Sequence, residues 1–319
     1  MIVANPGLDS ASLKLTHIYN YSQEIPGLRL RLWMPSATVL SAESPWQAVA
    51  HSGNLYSQPH PAPVLLILSD AEDWRAARQF YGDRLDLPRL HILQGADARH
   101  WGHGALNQPA VRLALGEAVA AALGRSGRLT EPLQISPIGL DPEDLPPPAL
   151  VKQGCLILGC DYPALGLAVQ QRLLASGLPC QCELSAWPKQ KWQEALAKAS
   201  VAVILSPQDG YPGLGLRTLT AMALGTAVVV TKNLIPDFYC RPGRNSVITM
   251  ADAKELTEAA TKLLKDDEQR KLLVQGGKST LLRHRTALER NQYIELIKNF
   301  NEHWTIAKSA HKQEPGELQ

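Results

Sequence analysis

The run of residues 201–231 constrains the fold more than any other feature of this sequence. Residues 201–205 (VAVIL) are a continuous, mostly β-branched apolar segment, which is typical of a parallel strand that is covered on both faces. Three glycines follow: Gly210, Gly213 and Gly215. Residues 216–224 continue with the apolar spacing of a helix, Gly225 ends it, and residues 227–231 form a second strand. This order predicts a βαβ unit with a glycine-rich turn after its first strand.

The start of this helix is a candidate anion site. Glycines let the backbone turn sharply and approach a ligand closely, because they carry no Cβ. Unpaired N–H groups and the positive end of the helix dipole would favour a diphosphate at this point. Short glycine motifs also recur in turns where they serve geometry only, so both interpretations stay open.

The composition is that of an ordinary globular protein. The chain has 319 residues, of which 45% are hydrophobic and 19% charged, and this length favours two medium domains. The net charge of +2 indicates no preference for an anionic membrane, and nucleic acid is disfavoured as a partner. No stretch approaches the roughly 18 apolar residues that span a bilayer. We therefore expect a soluble, cytoplasmic protein without a membrane span.

The cysteines indicate reduced core thiols rather than a disulfide framework. There are five of them, an odd number, and most lie in or beside apolar strands. Cys180 and Cys182 form a CxC pair on one face of a predicted strand, but two thiols do not make a four-ligand zinc site. No metal is expected.

The predicted elements fall into two groups that a linker separates. The first group comprises strands at 28–34, 63–69, 90–93 and 133–135 and a helix at 111–123. Residues 141–149 (DPEDLPPPA) combine acids and prolines, which cannot continue a helix or a central strand, and they form the linker. The second group comprises strands at 155–158 and 180–184, helices at 164–176, 189–199, 254–264 and 268–283, and a long terminal helix at 287–304. The pattern predicts two α/β domains.

Three segments then resemble the retaining family 4 glycosyltransferases. GLGLRTLTAMALGTAVV (213–229) and RPGRNSVIT (241–249) are similar to the two pieces of the family's donor motif, and ISPIGLDPEDLPP (135–147) is similar to its interdomain segment. The resemblance implies the GT-B fold, in which two Rossmann-like domains face each other across a cleft. It implies an acceptor-side domain over 1–147 and a nucleotide-sugar domain over 148–319, with the terminal helix packing back on the first domain.

The resemblance also implies a function and a set of site residues. The chain would move a sugar from a nucleotide-sugar donor, its substrate, to an unidentified acceptor, with retention and without a cofactor; a protein partner or a second copy of the chain is a further expectation. The donor would be bound by Gly159, Gly213, Leu214, Gly215, Leu216, Arg217 and Thr220. The catalytic candidates are Asp209, Gln94 and His100, and the acceptor-side candidates are Asp73, Asp97 and Arg99.

The donor motif departs from the family at its charged positions. Pro212 and Thr220 stand where the family has two glutamates, and Asp209 would supply the first acid if residues 212–214 are an insertion. Cys160 and Asp161 stand where a cation is expected beside the diphosphate. Arg217, Lys232 or Arg241 would replace this charge, or are surface cations. A scaffold or regulatory subunit that has lost turnover is therefore the alternative function.

Several candidates have an ordinary structural interpretation as well. His100 and His103 lie in a glycine-containing loop and would then be solvent-exposed. Asp73 would belong to a helix start, with its neighbour Trp74 in the core. The same question applies to two tryptophans that would stack on a nucleobase or pack in the core: Trp187 and Trp192.

Overall fold

The chain forms two compact units. The computed structural model describes residues 1–3, 10–34, 40, 44, 46–82, 84, 86–93, 104–125, 133–160, 162–185, 187–205, 215–232 and 239–312. The first unit is Met1–Ile138 together with Ala287–Gln319, and the second is Gly139–Thr286. The chain thus enters the second unit at Gly139, whereas the sequence analysis placed the boundary after residue 147, and it returns to the first unit at Ala287.

Each unit is built on one parallel sheet. The strands of the first are β1 (Ile2–Val3), β2 (Leu32–Trp33), β3 (Leu55–Tyr56), β4 (Leu66–Leu68), β5 (Arg89–Leu93), β6 (Val111–Ala114) and β7 (Leu133–Ile135), and those of the second are β8 (Cys155–Leu158), β9 (Cys180–Glu183), β10 (Val201–Ile204), β11 (Ala227–Thr231) and β12 (Val247–Thr249). The orders are β3-β2-β1-β4-β5-β6-β7 and β12-β11-β10-β8-β9. Strands β4, β8 and β10 are apolar throughout, as expected for strands that are covered on both faces, whereas β5 and β6 also bury Arg89, His91 and Arg112.

The helices cover these sheets. In chain order they are α1 (Ser10–Ser22), α2 (Gln47–His51), α3 (Ala71–Tyr81), α4 (Glu117–Arg125), α5 (Pro163–Ala175), α6 (Lys189–Lys198), α7 (Leu216–Ala223), α8 (Ala253–Lys265), α9 (Asp267–Leu281), α10 (Thr286–Lys298) and α11 (Phe300–Lys312). Within the described ranges, no helix is long and apolar enough to cross a membrane. The predicted α/β fold with two Rossmann-like domains is confirmed.

Two predicted elements were wrong in kind or extent. Residues 111–123 were predicted as one helix, but Val111–Ala114 is strand β6, which pairs in parallel with β5 and β7, and only Glu117–Arg125 is helical. A short apolar run does not distinguish a buried strand from a buried helix, and here the pairing on both edges decides. The terminal helix is two helices that meet at Asn299, a residue of low helix propensity.

A buried ion pair joins α1 to α10 inside the first unit. The ammonium of Lys14 contacts the carboxylate of Glu289, and each of these side chains is only 1% exposed. Lys14 also donates hydrogen bonds to the carbonyl and hydroxyl oxygens of Ser136, both at 3.1 Å. His17 Nδ1 and the hydroxyl of Tyr21 lie 2.8 and 3.0 Å from Glu289 Oε2. Burial alone would raise the pKa of Glu289, but Lys14 and the His17 hydrogen bond lower it to about 2.

Candidate functional site

The candidate site lies where the strand order of the second sheet reverses. Strands β8 and β10 are neighbours, but the chain leaves them in opposite directions, toward β9 and toward β11. In open parallel sheets, ligands bind outside the carboxyl ends of the strands at such a switch point. The chain that follows β8 begins with Gly159 and Cys160, and the next described helix after β10 is α7. The sequence motif is therefore placed at the position where this fold class binds ligands.

Gly215, the residue before helix α7, has a backbone conformation that favours glycine. The φ of Gly215 is +59°, in the left-handed region. A Cβ built there would collide with the hydroxyl of Tyr239 and lie 2.9 Å from two carbons of its ring. The ring of Tyr239 in turn contacts His284 edge-on, with 4.9 Å between ring centroids. Only a glycine fits beside this tyrosine, so the start of α7 has no side-chain cap of its own.

The loop that carries Tyr239 is fixed by buried contacts. Asn245 donates one hydrogen bond to the carbonyl oxygen of Tyr239 and another, of 2.8 Å, to the hydroxyl of Thr280 on α9. A Cβ built on Gly276 of α9 would collide with the carbonyl oxygen of Arg244. The motif RPGRNSVIT thus packs backbone against helix α9, and it holds the tyrosine against the start of α7.

Arg217, in the first turn of α7, forms an ion pair with Glu183 at this site. Its Nη1 donates to Glu183 Oε2 at 2.7 Å and its Nη2 to Glu183 Oε1 at 3.3 Å. The carboxylate of Glu183 is fully buried, whereas the side chain of Arg217 is 27% exposed. The backbone N–H of Trp187 also donates to Glu183 Oε1, at 2.9 Å. The pair is therefore bidentate, with a buried acid and a cation that reaches the solvent.

The guanidinium also contacts the residue that stands at the expected cation position. Arg217 Nη1 lies 3.2 Å from the sulfur of Cys160, which follows β8. The centroid of the Trp192 ring lies 5.8 Å from the guanidinium carbon. A positive charge is thus present where the sequence resemblance expects one, but it comes from helix α7 rather than from the end of β8.

Gly159 has a packing role at this end of β8. A Cβ on Gly159 would lie 3.3 Å from the Cα of Gly166, and a Cβ on Gly166 would lie 3.1 Å from the sulfur of Cys182. The backbone N–H of Gly159 donates to the carbonyl oxygen of Glu183 at 3.1 Å. These two glycines let α5 approach the sheet closely and hold the ends of β8 and β9 in register.

The described site residues divide between the two units. Five of the predicted donor residues lie at or beside the switch point of the second sheet: Gly159, Gly215, Leu216, Arg217 and Thr220. Thr220 is 1% exposed in this structure. Seven predicted residues lie outside the described part of the chain: Gln94, Asp97, Arg99, His100, Asp209, Gly213 and Leu214. Their roles stay predictions.

Asp73 lies in the first unit, at the start of α3. Its Oδ2 accepts hydrogen bonds from the backbone and hydroxyl of Ser69, at 2.9 and 2.7 Å, and Asp70 completes a capping box. Its Oδ1 is buried without a hydrogen bond. Burial and the nearby charge of Asp70 raise the pKa of Asp73 well above its ordinary value. Trp74 beside it packs against core residues. Both residues therefore have the structural roles that the sequence allowed, Asp73 at a helix start and Trp74 in the core.

The two candidate tryptophans and the two other candidate cations differ in burial. Trp192, on α6, is buried in the core of the second unit, and Trp187 is half-buried with the ammonium of Lys191 4.3 Å from its ring centroid. Lys232 and Arg241, the other candidate cations, are solvent-exposed. Among the described residues no group of three or more His, Cys, Asp or Glu could hold a metal.

Sequence reasoning missed Glu183 and Tyr239. Glu183 ends the strand CQCE, and an acid that closes an otherwise apolar or neutral strand is a weak signal for a switch-point residue. Tyr239 precedes the second motif piece and carried no signal, because its contact with Gly215 joins distant parts of the chain.

Comparison with known proteins identifies the class of this fold. The chain is similar to sucrose-phosphate synthase from Thermosynechococcus elongatus, with 11% identity, a TM-score of 0.67 and coverage of 94% of this chain and 98% of that one. It is similar to Anabaena HepE in complex with UDP and glucose, with 13% identity, a TM-score of 0.69 and coverage of 93% and 98%. It is also similar to MnaA of S. aureus with UDP, with 12% identity, a TM-score of 0.61 and coverage of 100% and 99%. The fold is the GT-B glycosyltransferase fold, as predicted.

The family match is more specific and falls on the second unit. Residues 150–266 match the family model described as glycosyl transferases group 1. Over these residues the match confirms the predicted resemblance at the level of group 1 glycosyltransferases; family 4 membership and retention stay predictions. No curated protein matches the chain.

Proposed function

We propose that this chain is a glycosyltransferase that takes a nucleotide sugar as its substrate and holds the diphosphate of that donor at the start of α7. The proposal depends most on one observation, the guanidinium of Arg217 beside Cys160 at the switch point of the second sheet. The family match over 150–266 includes this site, and HepE was determined with UDP and with UDP-glucose. No cofactor is needed in the proposed reaction.

In the proposed complex, the diphosphate meets two sources of positive potential. Gly215 provides no side-chain cap at the start of α7, and the positive end of the helix dipole attracts an anion there. Arg217, in the same turn, adds a guanidinium whose charge Glu183 offsets in part and which is partly exposed. As the bond between the sugar and the phosphate breaks, negative charge develops on the leaving diphosphate, and preorganised donors lower the barrier to this step.

The other roles follow from the sequence resemblance. We propose that Gly213 and Leu214 extend the backbone cradle, that Asp209 approaches the sugar and that Thr220 contacts the ribose once its surroundings open. On the first unit, Gln94, His100, Asp97 and Arg99 would serve the acceptor, whereas Asp73 is buried at the start of α3 and has a structural role. Retention of configuration, the acceptor, a protein partner and a cytoplasmic location stay predictions.

Titration with nucleotides tests the proposal. We expect UDP or another nucleoside diphosphate to bind the wild-type protein, and Arg217→Met to weaken that binding about ten- to a hundred-fold, because a charge-assisted contact is lost. Arg172→Met is the matched control, since Arg172 is an exposed arginine of α5. Calorimetry with UDP, GDP and ADP measures the affinities.

Two outcomes would contradict the proposal. One is the absence of binding to every nucleoside diphosphate together with tight binding to a protein partner, which would support the scaffold function instead. The other is an equal loss of affinity in Arg217→Met and Arg172→Met, because the effect would then come from net charge and not from the site.

A further inference from the structure

Glu183 is a buried acid at a site that we propose binds an anion. Its carboxylate is fully buried at the end of β9, where an unpaired charge would be strongly unfavourable. Three hydrogen bonds satisfy it, two from Arg217 and one from the backbone of Trp187. The acid is therefore fixed by the fold, and Arg217 is the partner that reaches outward.

Arg217 would otherwise be a poorly ordered side chain. An arginine has a long stem, and the loss of its rotamer freedom on binding would reduce the affinity for a ligand. Here both terminal nitrogens are held by Glu183, and Nη1 also contacts the sulfur of Cys160. The fork of the guanidinium is thus oriented before any ligand arrives.

We propose that Glu183 is a positioning residue, which holds the guanidinium of Arg217 where the leaving diphosphate of the donor binds. This inference rests on the proposed function. In this arrangement α7 supplies the cation that the end of β8 lacks, and β9 supplies the acid that orients it. The group that Glu183 helps to bind is the diphosphate and not the nucleoside.

The direction in which Glu183→Gln changes UDP affinity distinguishes a positioning role from simple electrostatics. A carboxylate near a diphosphate repels it, so removal of the charge in Glu183→Gln would tighten UDP binding if charge alone mattered. If Glu183 orients Arg217, the same change weakens UDP binding, although it removes a negative charge. A residue that served only the fold would lower thermal stability and leave the ratio of UDP to uridine affinity unchanged.

The experiment is a double-mutant cycle with two ligands. Calorimetry measures UDP and uridine binding to the wild type, Glu183→Gln, Arg217→Met and the double variant. We expect Glu183→Gln to lower UDP affinity about five- to twenty-fold and uridine affinity less than two-fold. On the Arg217→Met background, Glu183→Gln should cause no further loss. Equal or tighter UDP binding by Glu183→Gln, or additive losses, would overturn the inference.

Folding failure is controlled separately. The pair Glu183→Met with Arg217→Met replaces both charges by apolar groups of similar length, which buried pairs commonly tolerate. Thermal unfolding of all variants shows which of them are folded. A Glu183→Gln protein with wild-type UDP affinity and a lowered melting temperature would assign Glu183 a structural role only.

A second probe distinguishes failure of this inference from failure of the proposed function. Inorganic pyrophosphate should slow the alkylation of Cys160, whose sulfur lies 3.2 Å from Arg217, and this protection should weaken in Glu183→Gln. Cys160→Ser identifies the signal. Pyrophosphate protection that depends on Glu183, without binding of any nucleotide, would support the inference and contradict the function. Binding of UDP without dependence on Glu183 would do the opposite, and no binding of pyrophosphate or UDP would overturn both.

Discussion

Two buried carboxylates, one in each unit, pair with cations in different ways. Glu289 pairs with Lys14, and both side chains are almost completely buried. Glu183 is equally buried, but its partner Arg217 is partly exposed at the start of α7. A pair that is closed on both sides can only join helices, whereas a pair with an exposed cation also presents charge to a ligand. The difference in exposure of the cation distinguishes a structural pair from a candidate binding pair.

The largest expected loss of stability follows from breaking the closed pair, Lys14 with Glu289. Lys14→Met leaves the carboxylate of Glu289 buried without its cation, and we expect a loss of about 3 to 5 kcal/mol in the free energy of unfolding. Arg217→Met should cost about 1 to 2 kcal/mol, because water can reach the vacated space. Urea unfolding of both variants measures the two values. Equal losses would show that the two pairs do not differ in the way proposed.

The closed pair should also make the first unit sensitive to acid. The pKa of Glu289 is lowered from 4.5 to about 2 in the folded protein, so its contribution is present above pH 4.5 and is lost as the pH falls toward 2. The full loss should be about 3 kcal/mol, of which about 2 kcal/mol should be lost by pH 3, between the two pKa values. Unfolding at pH 6 and pH 3 measures it, with Glu289→Gln as the control. A pH dependence that is unchanged in Glu289→Gln would assign the acid sensitivity to other groups.

Asp73, a buried carboxylate at a helix start, extends the comparison of Glu289 and Glu183 to a third case. Its pKa is raised by burial and by Asp70, so Asp73→Asn should be more stable than the wild type at neutral pH, where the folded protein must either keep Asp73 protonated or bury its charge; Asp73→Ala should cost about 1 to 2 kcal/mol relative to Asp73→Asn through the lost cap. Because the folded pKa lies above the ordinary 3.8, the wild type should lose stability relative to Asp73→Asn as the pH rises from 3.8. Urea unfolding across this pH range tests both expectations; the opposite slope would mean that the folded protein holds Asp73 ionised.

The local pattern of residues 201–231 predicted much of the second unit. Strand β10, helix α7 and strand β11 lie where the apolar runs and Gly225 placed them, because each signal is contained in a few consecutive residues. Residues 111–114 were wrong for the opposite reason: the run VRLA is compatible with a helix, and only its pairing with β5 and β7 makes it a strand. Elements whose identity depends on distant partners are poorly determined by local periodicity.

The site could be predicted only in part, because several of its contacts join residues that are distant in the sequence. The position of Arg217 near a helix start could be read from the sequence, and so could the lack of a cation at Cys160. The hydrogen bonds from Arg217 to Glu183 join residues 34 positions apart, and no local pattern indicates them. Tyr239 was missed likewise, because its contact with Gly215 depends on how the loop before Asn245 packs.

The contact between Gly215 and Tyr239 also restricts the substitutions that this protein can accept in evolution. Any side chain at position 215 would occupy the space of the tyrosine, and the left-handed backbone adds a further cost. A descendant that acquires a larger residue at 215 must therefore first acquire a smaller one at 239. Substitutions at the two positions are therefore coupled, and steric overlap fixes their order, with Tyr239 changing first.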